Sequence, residues 1–385
     1  MKKFIILAAA IVLQTALGGI YAWSAFTPAL MATHHLSTAQ TQWIFGLAIA
    51  TLTLTMILAG GMLERWGPRL TAGLGGLLFG GGYYLASASQ GNFILLALGI
   101  GLIAGAGTGF GYICPLAVAV KWFPNHRGLV TGLAVAGFGG GGALLSTVAD
   151  RLLMKGLDVL AVFRVVALSY GPVILLAALV LGFPTSFGQP GGKIRMQIAD
   201  LFVRGDFWQL AAGMFAGTFA GLLVIGNLKP LGLDAGVSAA AATAAVGLFA
   251  LGNAAGRICW GAAYDRWHDK MLPLGLAFIT AAVLMLLLPP GDALFMVTSF
   301  LIGFGFGSCF VLYAARVATV YGVDSVADIY PLIFLFYGFA GIIGPVAGGM
   351  LYDLTQSFFA AILTSAVIAA LGTVFIFPMA ISRPD

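Results

Sequence analysis

Apolar runs of about 18 to 30 residues, parted by short polar breaks, recur from one end of the chain to the other. Each is long enough to cross about 30 Å of hydrocarbon as a helix, which takes about 20 residues. Twelve spans are predicted, at about 4–29, 40–63, 70–88, 93–120, 128–150, 160–183, 207–229, 237–262, 271–290, 293–319, 328–352 and 357–379. Strands of a membrane barrel would alternate apolar and polar residues over segments of about ten, and these runs do not. The pattern therefore predicts an all-α membrane protein. Lys2 and Lys3 before an apolar stretch imitate a secretory signal, but the stretch continues through Trp23 and Phe26 without a small-residue cleavage site. It is read as the first span.

The periodicity breaks once, in a polar stretch from Pro184 to Asp206 that contains Gly188-Gln189-Pro190-Gly191-Gly192-Lys193 and a short amphipathic piece to Phe202. Six spans precede it and six follow. The predicted organisation is an N-terminal six-helix bundle over 1–183, a cytoplasmic linker over 184–206 and a C-terminal six-helix bundle over 207–385. One short pattern recurs at matching places, after the second and the eighth spans: Gly60-x-x-x-Glu64-Arg65-x-Gly67-x-Arg69 and Gly261-x-x-x-Asp265-Arg266-x-His268-x-Lys270. A glycine lets a helix end approach its neighbour, while the acid and basic groups can form charge-assisted bonds across a cytoplasmic face that opens and recloses. The plainer reading, charged residues that merely cap a membrane helix, fits one copy better than two.

Composition narrows the class. Hydrophobic residues are 61% of the 385 and charged residues 8%, against about a quarter charged in a soluble domain. With the N-terminus inside, 13 Lys or Arg fall in cytoplasmic segments and four in outer ones (151, 155, 164, 229), with Arg257 left within a span. That asymmetry predicts both termini in the cytoplasm. The net charge of +5 then reports topology and contact with anionic lipid, not nucleic acid, since no basic patch is interleaved with exposed aromatics. Cys114, Cys259 and Cys309 lie on three different spans without paired or metal-ligand spacing and are expected to be buried small apolar residues. The four histidines fall in loops, so no metal site is indicated. Glycine, 55 residues, clusters in the fourth, fifth and tenth spans, where it lets helix backbones pack closely and slide. The run near Gly139 lies within a span and follows no strand, which excludes a phosphate loop and a pump driven by ATP.

One residue carries the candidate chemistry. Arg257, in Gly256-Arg257-Ile258-Cys259-Trp260-Gly261, lies near the end of the eighth run, where a buried cation costs at least about 2.5–3.5 kcal/mol and persists only with a partner, a watery cavity or a ligand. Asn253, Arg257 and Gly261 share a helix face at four-residue spacing. A guanidinium offers a planar fork to a carboxylate, and partial dehydration strengthens the pair. Snorkelling to the cytoplasmic interface, or pairing with an acid in a closed gate, is the structural alternative. Gln14 and Asn227 are read as interhelical glue. No Asp, Glu or His lies mid-membrane, Asp328 and Asp353 being at span ends, and no His, Ser or acid constellation inside the spans indicates an enzyme.

The paired loop pattern, twelve spans and the central loop resemble the major facilitator superfamily, with His268 and Pro68 as departures from its usual pattern. Lys121-Trp122-Phe123-Pro124-Asn125-His126-Arg127-Gly128, Gly19-Ile20-Tyr21-Ala22-Trp23-Ser24 and Asn253-x-x-x-Arg257-x-x-x-Gly261 resemble its oxalate:formate antiporter and monocarboxylate transporter branch. The resemblance implies the major facilitator fold and assigns carboxylate binding to Arg257. It also places Tyr21, Tyr112 and Tyr313 where relatives carry aromatic hydroxyls around the cavity. Oxalate-exchanging members carry a lysine in the eleventh span where Tyr337 stands here, so one cation faces the cavity and a monoanion is matched better than a dianion. Proton-coupled animal relatives place an aspartate where Asn253 stands. Coupling thus stays open between a proton moving with Arg257 and substrate, a proton through Asp328, and plain anion exchange.

The expected function is a secondary carrier of the inner membrane moving lactate, pyruvate, glycolate or a similar monocarboxylate by symport or exchange, its two halves rocking in alternating access. An oxalate:formate or other dicarboxylate exchanger is the alternative. A non-transporting sensor would be expected to carry a soluble signalling extension, and none is read. Expected partners are a small carboxylate anion, a proton if transport is coupled, and membrane lipid, with no cofactor, metal or nucleic acid, and a monomer is expected.

Overall fold

The structure is a computed structural model that describes residues 2–36, 38–184, 198–289 and 291–381. Among these residues the secondary structure is helical throughout. Residues 185–197, the centre of the expected linker, lie outside the described part, as do the side chains of Ser24 and Asp353.

Among the described residues, ten helical stretches are long and apolar enough to cross a membrane, and two of them, Trp43–Ser87 and Ala239–Leu287, are 45 and 49 residues long. At 1.5 Å per residue each of these is about twice the thickness of the hydrocarbon. Both are broken where a new span starts. In the helical stretch Thr38–Ser87 the break is Gly67, at φ 76° and directly before Pro68. Only glycine adopts that conformation without cost, so the first loop pattern is a single sharp corner between the second and third spans. His268 breaks the other stretch at φ 48°, after the helix Ala239–Trp267 and ahead of Met271–Leu284. Counted as two spans each, these make twelve.

The chain divides into two compact units. The first comprises Met1–Ala119 with Leu133–Gly182, and the second comprises Val120–Gly132 with Phe183–Asp385. In the first unit, the opening helix Lys2–Leu17 passes through a 3-10 turn, Gly18–Ala22, into Trp23–His34. Its glycine faces meet the fifth span (Arg127–Met154) backbone to backbone. A Cβ at Gly18 would lie 2.1 Å from the Phe138 carbonyl oxygen, and one at Gly141 would lie 2.0 Å from that of Thr15. The fourth span starts at Phe93 under an Asn92 cap, whose Oδ1 accepts from the Ile94 and Leu95 amides at 2.9 and 3.2 Å. Asp158 caps the sixth span, Val159–Val180, and also meets His34 Nε2 at 3.1 Å.

In the second unit the spans are Gly205–Asp234, Ala239–Trp267, Met271–Leu284 with the turn Met285–Leu287, Asp292–Val320, Val326–Thr355 and Phe359–Ile381. The eighth and tenth are joined by a ladder of glycines. Cβ atoms at Gly252 and Gly256 would lie 2.1 Å from the carbonyl oxygens of Phe300 and Phe304, and one at Gly303 would lie 2.1 Å from that of Phe249. No side chain fits between them, so the two backbones touch and their register is fixed. At one end Asp292 ties them again, accepting from the Ser238 amide and hydroxyl at 2.9 and 2.6 Å. Leucines such as Leu54, Leu58, Leu176 and Leu371 lie exposed on the outer faces of the spans, as lipid contact requires.

Candidate functional site

Arg257 is fully buried within the second unit. The glycine ladder places it. Because spans eight and ten touch at Gly256 and Gly303, and a Cβ at Gly307 would lie 2.9 Å from the Arg257 amide nitrogen, the next turn of span ten lies beside the guanidinium. Arg257 Nε donates to Asn253 Oδ1 at 3.0 Å, one helical turn back. The guanidinium carbon sits 4.2 Å from the centroid of the Phe310 ring. Asn253 and Phe310 are both neutral. An arginine-to-amide bond contributes about 1.5–3 kcal/mol and a dehydrated cation–π contact about 2 kcal/mol, which is comparable to the insertion cost of the cation. The geometry thus keeps a full positive charge inside the unit without snorkelling to its surface.

Phe310 links this cation to the eleventh span. Its ring meets Tyr337 edge-on at 5.3 Å, Tyr337 meets Phe334 at 4.8 Å, and the Tyr330 hydroxyl donates to the Phe310 carbonyl at 3.2 Å. The structure therefore brings Arg257, Asn253 and Tyr337 into one cluster with Phe310 at its centre. Phe310 is a residue that sequence reasoning passed over. Its signal lay in the glycine spacing: Gly252 and Gly256 pair with Gly303 and Gly307, which sets Phe310 opposite Arg257.

Tyr313 faces another way. A Cβ at Gly213 of span seven would lie 2.5 Å from the Tyr313 hydroxyl, and one at Gly217 would lie 2.5 Å from Cys309 Sγ. Gly305, on the same face, abuts Ile279 of span nine. That face of span ten is thus seated against spans seven and nine, and the buried Tyr313 hydroxyl has no hydrogen-bond partner among the described residues. Tyr21 and Tyr112 form a cluster in the first unit, each edge-on to Phe138, at 5.3 and 4.9 Å. Gln14 Nε2 donates to the Tyr112 carbonyl at 3.1 Å, and Asn227 Nδ2 to those of Leu223 and Pro345 at 2.9 and 3.4 Å, the glue role expected of both.

The second loop pattern has a defined task. Asp265 Oδ1 accepts from the Gly128 amide at 2.7 Å and Oδ2 from the Leu129 amide at 2.9 Å. These are unsatisfied donors of the first turn of span five, where a carboxylate is favoured by the helix dipole. The motif's glycine acts with its acid: a Cβ at Gly261 would lie 2.3 Å from the Gly128 oxygen, and one at Gly132 would lie 2.3 Å from the Arg257 oxygen. Val120–Gly132, which runs from the end of span four into span five, belongs to the second unit, where it makes these contacts. Lys121 Nζ meets Asp324 at 2.6 Å, and Arg127 Nη1 donates to the Ala318 carbonyl at 2.9 Å. In the first copy Gly60 is buried and Arg65 exposed, Glu64 is half-buried, and Arg69 Nε donates to the Leu181 carbonyl at the end of span six at 3.0 Å. Arg266 and Lys270 are exposed. Asp265 in the second copy and Arg69 in the first thus each bond to a helix end.

A buried network beside the second copy was not anticipated. Asp269 pairs with Arg316 Nη1 and accepts from the Tyr264 hydroxyl at 3.3 Å. Asp269 occupies an unassigned place of the loop pattern, and Arg316, two turns past Cys309, was counted only as an inside charge. Cys114 and Cys309 are buried as expected, but Cys259 is exposed. It lies two residues beyond Arg257, about 200° around span eight from that side chain. No group of three or more metal-ligating side chains occurs among the described residues.

These observations define an integral membrane protein of twelve helices with an enclosed cation in its second half. The sequence profile of the Major Facilitator Superfamily matches residues 7–330 and 210–385, and the chain belongs to that family, whose members are transporters and not enzymes. It is 26% identical over 352 residues to an uncharacterized MFS-type transporter, YhjX, of Escherichia coli, covering 88% of this chain and 86% of the relative. To the oxalate:formate antiporter of Oxalobacter formigenes it is 27% identical over 392 residues, covering 98% and 92%. To human monocarboxylate transporter 11 it is 27% identical over 363 residues, covering 89% and 75%. Among solved structures, the major facilitator transporter FucP in its outward conformation superposes with a TM-score of 0.77 over all of both chains at 15% identity, a likeness of fold.

Proposed function

We propose that this protein is a secondary transporter of small monocarboxylates, of the lactate or pyruvate class, working by alternating access, with Arg257 as the group that binds the carboxylate. The observation that carries the reading is the enclosed guanidinium, held by Asn253 and faced by Phe310. An entering carboxylate can engage the fork of the guanidinium, a stronger partner than an amide or a ring. Tyr337 completes the choice of charge. An uncharged residue stands there, so a monoanion is balanced by Arg257 while a dianion leaves one charge in a partly dehydrated site. The names of the oxalate:formate antiporter and the monocarboxylate transporter support a small carboxylate as cargo.

We place the protein in the inner membrane with both termini cytoplasmic, on the distribution of basic residues. Coverage of 98% of this chain by the oxalate:formate antiporter supports a second reading, exchange of a dicarboxylate for a monoanion. Uptake of radiolabelled lactate, with oxalate countertransport in parallel, into liposomes containing wild type, Arg257→Ala or Arg257→Lys tests both. Loss of uptake in folded variants is expected. Full transport by Arg257→Ala refutes the assignment, and preferential oxalate exchange by wild type selects the second reading.

A further inference from the structure

One cavity of the second unit is not lined by Arg257. It is a crevice of about 340 Å³ walled by Cys259, Trp260, Ala263, Trp267, Leu274 and Phe304, within the second unit. Trp260 is its aromatic floor, packed on Phe278 and Phe304 at 5.8 and 5.9 Å, and its only polar hydrogen is already donated to the Phe304 carbonyl at 3.1 Å. Apart from the Trp267 indole N–H, no side chain on these walls presents a strong donor or acceptor to a polar ligand, while the exposed Cys259, Trp267 and Leu274 open it to the outside of the bundle. One end is chemically different. Trp267 closes span eight, the Arg266 guanidinium lies 5.6 Å from its ring, and Arg266, His268 and Lys270 are all exposed there. An apolar slot on a membrane-facing surface, ending in an interfacial tryptophan and exposed basic residues, matches a molecule with a hydrocarbon tail and an anionic head.

We infer that this crevice is a binding site for an anionic phospholipid, one acyl chain lying against Trp260 and Phe304 and the phosphate resting on Arg266 and Lys270. The lipid would brace the second loop pattern on its outer side, next to the Asp265 contacts with span five. Two basic side chains close to a headgroup favour an anionic over a zwitterionic lipid by about thirtyfold at low salt.

The test uses the full-length protein purified in detergent, with phosphatidylglycerol or phosphatidylcholine added at equal mole fraction. Retained lipid is read by native mass spectrometry, and Cys259 reactivity by alkylation with N-ethylmaleimide. Expected results are retention of one phosphatidylglycerol about thirtyfold above phosphatidylcholine and a several-fold slowing of Cys259 alkylation by phosphatidylglycerol alone. Arg266→Gln with Lys270→Gln brings the ratio of the two lipids to within about twofold. Ala263→Trp, or Leu274→Trp if the first does not fold, fills the slot and abolishes retention. Equal retention of both lipids overturns the inference, as does protection of Cys259 by oleate or phosphatidylcholine equal to that by phosphatidylglycerol. Protection of Cys259 by a second copy of the chain also overturns it.

Discussion

Asp265→Asn isolates what the second loop pattern does. In the native chain the two carboxylate oxygens of Asp265 accept from the Gly128 and Leu129 amides at 2.7 and 2.9 Å. Asparagine keeps one acceptor oxygen, so the substitution removes one charge-assisted bond, worth about 1.5–3 kcal/mol, and the negative charge at a helix N-terminus, worth about 0.3–1 kcal/mol. Asp265 is half-buried, which puts the total toward the lower end, near 2 kcal/mol. At 1.36 kcal/mol per decade, the opening equilibrium of the first turn of span five rises about thirtyfold. Hydrogen–deuterium exchange of a peptide covering residues 125–132 reads this directly, as an increase of that order in amide exchange. Arg266→Gln, which alters an exposed charge one residue away, changes the same exchange by less than about twofold. Gly261→Ala reaches the same end by another route, since its methyl group would lie 2.3 Å from the Gly128 carbonyl oxygen. Unchanged exchange in Asp265→Asn, or equal increases in Asp265→Asn and Arg266→Gln, refutes the capping role.

Two further outcomes follow from the packing of span ten. Gly256→Leu must separate spans eight and ten, because a Cβ there would lie 2.1 Å from the Phe304 oxygen; a fall in thermal stability and in folded yield is expected, whereas Gly247→Leu, with open space around its Cβ position, leaves both unchanged. Tyr313→Phe removes a buried hydroxyl that has no hydrogen-bond partner among the described residues, and an unsatisfied polar group costs about 1–3 kcal/mol, so the melting temperature rises or holds; a clear fall shows that the hydroxyl is used.

Much of the architecture was legible because a bilayer imposes a length on every apolar run, and the breaks at 88–92, 123–126 and 155–158 are hard to mistake. The corners at Gly67 and His268 fall inside the two charged loop patterns, between the spans read at 40–63 and 70–88 and at 237–262 and 271–290; the tightness of each corner, made by one residue of positive φ, is what the pattern of charges does not state. Arg257 and Asn253 could be paired from four-residue spacing alone, since a helix carries that contact within itself. Phe310 could not, because its position opposite Arg257 depends on the register between two helices, written in four glycines rather than in any charged residue. The same holds for Asp269 with Arg316, which lie 47 residues apart, and for Asp265 with Gly128, 137 residues apart. Cys259 was assigned to the interior by its chemistry, although the angular position two residues past Arg257 turns it outward.

The backbone contact between spans eight and ten has an evolutionary reading. Because main-chain atoms hold the depth and azimuth of Arg257, the surrounding rings can be exchanged one at a time without shifting the anion anchor proposed above. On the proposed function, a lineage built on such a mount can diversify its cargo by recutting the aromatic walls while the ionic contact stays where it was. Replacement of any of the four mounting glycines, by contrast, would disturb every cargo alike.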